Sequence, residues 1–189
     1  MDAVTVVQPS RHRCPGRVKG KDRMSEITVR ALERSEWEKY KACRLRALEE
    51  APHAFVADYD TEVAYGEDFW KERMGRATRL IAEKGADAVG ILSLRANDDI
   101  YENALEAFGL WVAPDERGAG VATTLMDFAT SYAAGEGHGS LIYWVGTDNG
   151  RAVAFASSYG FRPTEYRRDP DETDGQDDEE LAMVYALRP

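Results

Sequence analysis

Cysteine and histidine are scarce in this chain of 189 residues: Cys14 and Cys43 are the only cysteines, and His12, His53 and His138 the only histidines. Two cysteines cannot build the multi-bridge framework of a small secreted domain, and none of these five residues stands at metal-ligand spacing. A reducing cytoplasm and no metal are therefore expected. Long apolar runs are missing too: a membrane helix needs about 20 apolar residues in succession, and nothing here approaches that, so no membrane partner is expected. Positive charge is in short supply. The net charge is −10, which repels a phosphate backbone and argues against nucleic acid as a partner. Internal repeats are absent. So are a Gly-Lys-Ser or Gly-Lys-Thr phosphate loop and a three-glycine dinucleotide fingerprint with its acid about 20 residues on.

Six of the 24 basic residues fall in the first 24 positions. Arg11, Arg13, Arg17, Lys19, Lys21 and Arg23 face two acids within the first 24 positions, among Pro9 and Pro15 and without sustained periodicity. The apolar stretch 4–7 is too short for a secretory core and precedes the basic residues. Residues 1–24 thus read as a flexible tail and 25–189 as one domain, whose 43% hydrophobic and 10% aromatic content is ordinary for a globular protein.

Within that domain the periodicity switches between strand and helix. Residues 26–32 alternate as a strand. Ser35 and Glu38 form a capping box for a helix with Trp37, Tyr40, Leu45 and Leu48 on its apolar face, closed by Pro52. A second helix is predicted over 62–74, with Phe69 and Trp70 in the core. Strands at 79–83 and 88–94 pair through a hairpin at Lys84-Gly85-Ala86-Asp87, and a further strand covers 105–112. A long helix runs to about Gly135. A buried strand over 141–145 places Tyr143 and Trp144 in packing positions, a helix capped by Asp148 or Asn149 extends to Ser158, and strands at 161–166 and 181–187 follow. This order predicts an α/β fold with a mixed, mostly antiparallel sheet and one parallel crossover.

The crossover carries the most informative segment, Pro114-Asp115-Glu116-Arg117-Gly118-Ala119-Gly120-Val121-Ala122. An apolar strand ends in turn residues, two glycines follow, and Val121, Leu125, Phe128 and Tyr132 then recur at helical spacing. The first amides of a helix have no internal partner and sit at the positive end of its dipole, so the junction suits a phosphate anion. Gly118 and Gly120 let that anion approach the main chain. A glycine-rich helix entry that binds nothing is the plainer alternative.

Arg117-Gly118-Ala119-Gly120-Val121-Ala122 resembles the Arg/Gln-x-x-Gly-x-Gly/Ala signature of the GNAT acetyltransferase superfamily, and the element order from Glu26 onward is similar as well. The resemblance implies a seven-stranded, mostly antiparallel sheet flanked by helices and splayed between its fourth and fifth strands. It implies acetyl-CoA as cosubstrate, its pyrophosphate held by the amides of residues 117–122. It also implies that main-chain groups of Trp111 and Val112 hold the thioester and pantetheine, with a strand bulge compatible with Gly109, and that Asn149 holds the pantetheine arm. Asn149 also reads as a plain helix cap. Asn149-Gly150-Arg151-Ala152 followed by Gly160-Phe161 matches a second family motif, but the tyrosine that usually protonates the leaving thiolate is replaced by Ala156. Tyr159 is the substitute on offer, against a packing role at the helix end. Glu106, eleven residues before Arg117, is the candidate general base, against an ordinary solvated glutamate.

These expectations define an acetyl-CoA-dependent N-acetyltransferase acting on a primary amine by direct attack on the thioester. The absent tyrosine leaves a second class open, a catalytically weak acyl-CoA-binding sensor. The family's acceptor pocket would fall near 51–60, where His53 lies, and near 169–180, where eight of twelve residues are acidic. That charge suits a cationic acceptor, or serves solubility in a solvated loop. The resemblance adds a homodimer as a further expectation.

Overall fold

Alternation along the strands divides the core in two. In the computed structural model, which describes residues 26–52, 55, 57–169 and 179–187, the strands are β1 (Ile27–Ala31), β2 (Thr78–Lys84), β3 (Asp87–Ala96), β4 (Ala104–Val112), β5 (Ser140–Gly146), β6 (Arg162–Arg168) and β7 (Glu180–Ala186). The basic tail, His53 and most of the acidic run lie outside the described residues. The sheet has the order β1-β2-β3-β4-β5-β7-β6, antiparallel throughout except for β4 against β5.

Helices α1 (Trp37–Glu50), α2 (Tyr59–Val63), α3 (Glu67–Gly75), α4 (Val121–Gly135) and α5 (Gly150–Tyr159) flank it. On one face Leu80, Leu92, Leu105 and Leu141 pack against α4 through Val121, Leu125, Met126 and Ala129. These four helical residues form one stripe, and burying Leu125 alone contributes roughly 1.5–3 kcal/mol. On the other face Ile81, Ile91 and Trp111 meet Tyr40 and Ala47 of α1 and Trp70 and Met74 of α3. The parallel crossover from β4 through α4 to β5 delivers the glycine turn to the end of β4.

Two local expectations are corrected. The entry to α1 is a 3-10 turn at Arg34–Glu36, and the carboxylate that accepts the Glu33 amide, at 2.9 Å, is Glu36 rather than Glu38. Arg30 fixes that choice by donating to both Glu36 oxygens at 2.8 and 2.7 Å, which holds the Glu36 pKa down to about 2. The single helix over 62–74 is two helices. Asp58 caps α2 by accepting the Thr61 amide at 3.0 Å, and Gly66 is extended ahead of α3. The Tyr65 carbonyl freed at this break accepts the Trp70 indole N–H at 3.2 Å.

Candidate active site

The strand that leads to the glycine turn is irregular at one residue. Gly109 has φ +64°, and the β3–β4 register slips there, from Ser93↔Phe108 to Ile91↔Trp111. An extra residue in the left-handed region is what a bulge needs, and glycine meets it without a Cβ penalty. The bulge reverses which side chains face which side: Glu106 and Phe108 share a face with Trp111, while Ala107 shares one with Leu110. Pairing of β4 with β5 ends at Ala107↔Tyr143. Beyond it the strands diverge, and the main-chain groups of β4 that pointed toward β5 open into a cleft of about 990 Å³.

The far end of that cleft is the strand-to-helix turn. Gly118 and Gly120 have φ of +82° and +89°, and a Cβ at either would meet no atom within 4 Å, so the missing side chains leave open space in front of the turn. The first main-chain bond of α4 is from the Thr124 amide to the Gly120 carbonyl, at 2.9 Å. The amides of Val121, Ala122 and Thr123 therefore point outward at the positive end of the helix. Arg117 donates through Nε to the Val112 carbonyl at 3.1 Å, which ties the turn to β4, and Arg151 lines the opposite wall. Amides without an acceptor among the described residues, two guanidinium groups and space that a Cβ would fill together suit a pyrophosphate.

The structure brings Trp111, Val112, Arg117, Gly118, Gly120, Val121, Ala122 and Asn149 to this one cleft. Ala119 lies between the two lining glycines, its amide donating to the Glu116 carbonyl at 3.2 Å. Asn149 caps α5 by accepting the Ala152 amide on Oδ1 at 3.0 Å, so its Nδ2 group stays available to the cleft. Neither candidate catalytic residue lines this cleft. Tyr159 donates to Asp127 at 2.9 Å and shares a hydrogen bond with Thr130 at 3.2 Å, both on α4, and burial pushes its pKa up to about 12. Glu106 is fully buried on the opposite face. Its oxygens accept from Arg95 Nε and Nη2 at 2.9–3.0 Å, from Asn97 at 2.9 Å and from Arg168 at 3.5 Å.

Sequence reasoning passed over Tyr143. It is 8% exposed, packs with Ala156 and Phe161, and lines the cleft at the point where the strands part. Burial, followed by the Glu180 charge, pushes its pKa up to about 12, so the hydroxyl stays protonated at neutral pH. The signal that would have found it is Ala156 itself: a small residue where a tyrosine is expected leaves room for one from the facing strand. The arginines around Glu106 were missed as well, because Arg95 and Arg168 come from strands 11 and 62 positions away.

Comparison with known proteins follows the same geometry. A profile of the acetyltransferase (GNAT) family matches residues 24–161. Among curated proteins none matches this sequence. Solved structures with a similar fold include the ribosomal-protein-S18-alanine N-acetyltransferase of Escherichia coli, at 19% identity and TM-score 0.63 over 87% of this chain and 96% of that one. A GNAT-family acetyltransferase of Streptococcus pneumoniae gives 16% and 0.70 over 86% of this chain and all of that one. The yncA protein of Salmonella typhimurium, determined with its cofactor acetyl-CoA, gives 18% and 0.62 over 86% and 94%.

Proposed function

The chain belongs to the acetyltransferase (GNAT) family, and from that premise we propose that it moves the acetyl group of acetyl-CoA to a primary amine by direct attack of the amine nitrogen. The observation that carries this reading is the junction of two features in one cleft: the main-chain cradle at residues 118–123 and the opening of β4 away from β5. Acetyl-CoA supplies an activated acyl group on a thioester. The outward amides of Val121, Ala122 and Thr123 hold its pyrophosphate with Arg117 and Arg151, and Asn149 Nδ2 and the main chain of Trp111 and Val112 hold the arm.

In the transfer the nitrogen bonds the acyl carbon, the carbon–sulfur bond breaks, and one proton passes in net from nitrogen to sulfur. Tyr143 is the hydroxyl on the cleft wall and takes the donor's part in place of Tyr159, whose own hydroxyl is committed to Asp127. Glu106 holds arginines rather than acting as the base, because accepting a proton would require it to release donors that already occupy both oxygens. The amine's proton then leaves to water at the open side of the sheet, and water returns a proton to Tyr143, which closes the net transfer from nitrogen to sulfur. The described acids of the run at 169–180 include Glu179 and Glu180, which pair with Arg167 and Arg168, so their charge is already balanced.

The reading is tested by following free thiol while acetyl-CoA is offered to a panel of primary amines. Thiol and acetylated amine should appear in equal amounts and scale with protein. A chain that binds acetyl-CoA yet releases thiol no faster than buffer is the sensor suggested by Ala156, and acetyl transfer is then excluded.

A further inference from the structure

On the face of the sheet opposite α4, among the described residues, Arg44, Arg73, Arg79, Arg95 and Arg168 gather around three carboxylates, Glu62, Glu106 and Glu180. Arg44 and Arg73 share the buried Glu62. Arg95 and Arg168 share the buried Glu106, and Arg168 also pairs with Glu180. Arg79 has no carboxylate partner among the described residues: it donates to Ser93 Oγ at 2.7 Å and to the Arg73 carbonyl at 2.9 Å. Its guanidinium lies against the Tyr40 and Phe108 rings, and its Nε is buried with no acceptor among the described residues. Burial and the nearby charges of Arg73, Arg44 and Arg95 lower its pKa. A buried cation without a counter-charge is costly, and here it adds to a positive excess in a chain of net charge −10.

Arg95 and Arg168 are the members that a ligand can reach. Their side chains are 47% and 36% exposed, whereas Glu106 beneath them is fully buried. Arg95 spends Nε and Nη2 on Glu106, and Arg168 spends Nη2 on Glu106 and Nε on Glu180. The Nη1 group of each has no partner among the described residues. The Phe108 and Trp144 rings cover one face of each guanidinium, at 4.7 and 4.3 Å, which leaves the donor edges to a ligand. The Trp144 indole N–H, beside Arg168, is also buried and has no acceptor among the described residues. Glu106 pairs with Ile142 one step before the last β4–β5 pair and three residues from the bulge, about 10 Å along the strand. Helices α1 and α3 pack over β2 and β3 on this face, so the fork lies beside them at the foot of the opening where the acyl group is attacked.

We propose that Arg95 and Arg168 form a fork for a carboxylate carried by the acceptor, so that the amine substrate is a small amino-carboxylic acid. The proposal rests on the acetyl-transfer reading for the amine's role. Planar guanidinium groups already oriented by a buried carboxylate match a second carboxylate edge to edge, and a compact ammonium or a bare amine gains nothing from them.

The test compares acceptors that differ in one group: alanine with ethylamine and phenylalanine with phenethylamine, plus the phosphonate analogue of alanine, at saturating acetyl-CoA. The amino acids should have kcat/KM at least about 10-fold higher than their amines. Arg168→Gln should raise KM for the amino acids about 10- to 100-fold with kcat within a factor of about 3, leaving the amines unchanged, and Arg168→Lys should rescue only part of the loss. Equal use of the paired amines, or an equal loss in both series, overturns the fork, and a phosphonate preferred over the carboxylate overturns the planar recognition. Titration calorimetry of the CoA-bound protein with 3-phenylpropionate, which has no amine to react, reads the fork without turnover. Binding that Arg168→Gln weakens supports it, and no binding overturns it. If no amine releases thiol but this titration succeeds, acetyl transfer fails and the fork stands.

Discussion

The two sides of the β4–β5 opening are made from different materials. On the side proposed for the donor, main-chain groups predominate: amides at the start of α4, positive-φ glycines and the edge of β4 beyond its last pair with β5, with Arg117, Arg151 and Asn149 beside them. On the other side they are long charged side chains locked by buried carboxylates, Arg44 and Arg73 on Glu62 and Arg95 and Arg168 on Glu106. Main-chain recognition tolerates almost any neighbouring side chain and suits a constant ligand. A side-chain network changes with each substitution, which suits the part of the substrate that differs between enzymes on one fold.

The largest effect separating the two sides is expected in stability. Glu62→Ala strands Arg44 and Arg73 at a buried site and should cost about 3–5 kcal/mol in denaturant unfolding, while acetyl-CoA affinity of the protein that remains folded stays within a factor of about 3. A matched loss of cofactor binding would mean that the sides are not separate. Gly120→Val reverses the pattern. It forces a β-branched residue to φ +89° and should weaken acetyl-CoA binding about 100-fold by calorimetry, with a melting shift smaller than that of Glu62→Ala. Tyr143→Phe should lower kcat about 10- to 100-fold with little change in cofactor affinity, whereas Tyr159→Phe should stay within a factor of about 3. The reverse ranking would return the proton to Tyr159.

The smallest effect is in alkaline stability. The folded chain keeps the phenol protons of Tyr143 and Tyr159 up to about 12, against an ordinary value of 10.0. Their contribution is complete below pH 10 and is lost as pH rises through about 12. Unfolding free energy measured across that window should fall less steeply in the Tyr143→Phe, Tyr159→Phe double variant than in the parent.

The same contrast explains what could be read from the sequence. The glycine turn and the cap at Asn149 are each built from a short run of neighbours, so residue types at their spacing were enough to place them, whereas the bulge at Gly109 followed from the family resemblance. The strand order was legible for a similar reason, since alternation and helical stripes are local. Glu106 was not. Its surroundings come from β3 and β6, and a glutamate on a strand reads the same whether it faces water, a substrate or two arginines. Tyr143 was hidden because a tyrosine in an apolar strand looks like packing, which it also is. The break at Gly66 was obscured by a helical pattern on both sides of it.

The most direct measurement is the affinity of the parent protein for acetyl-CoA set against S-acetylpantetheine, which carries the same thioester and arm without the pyrophosphate. Calorimetry should show acetyl-CoA binding at least about 100-fold more tightly, with the advantage largely gone in Gly120→Val. Equal affinities in the parent would contradict the main-chain cradle.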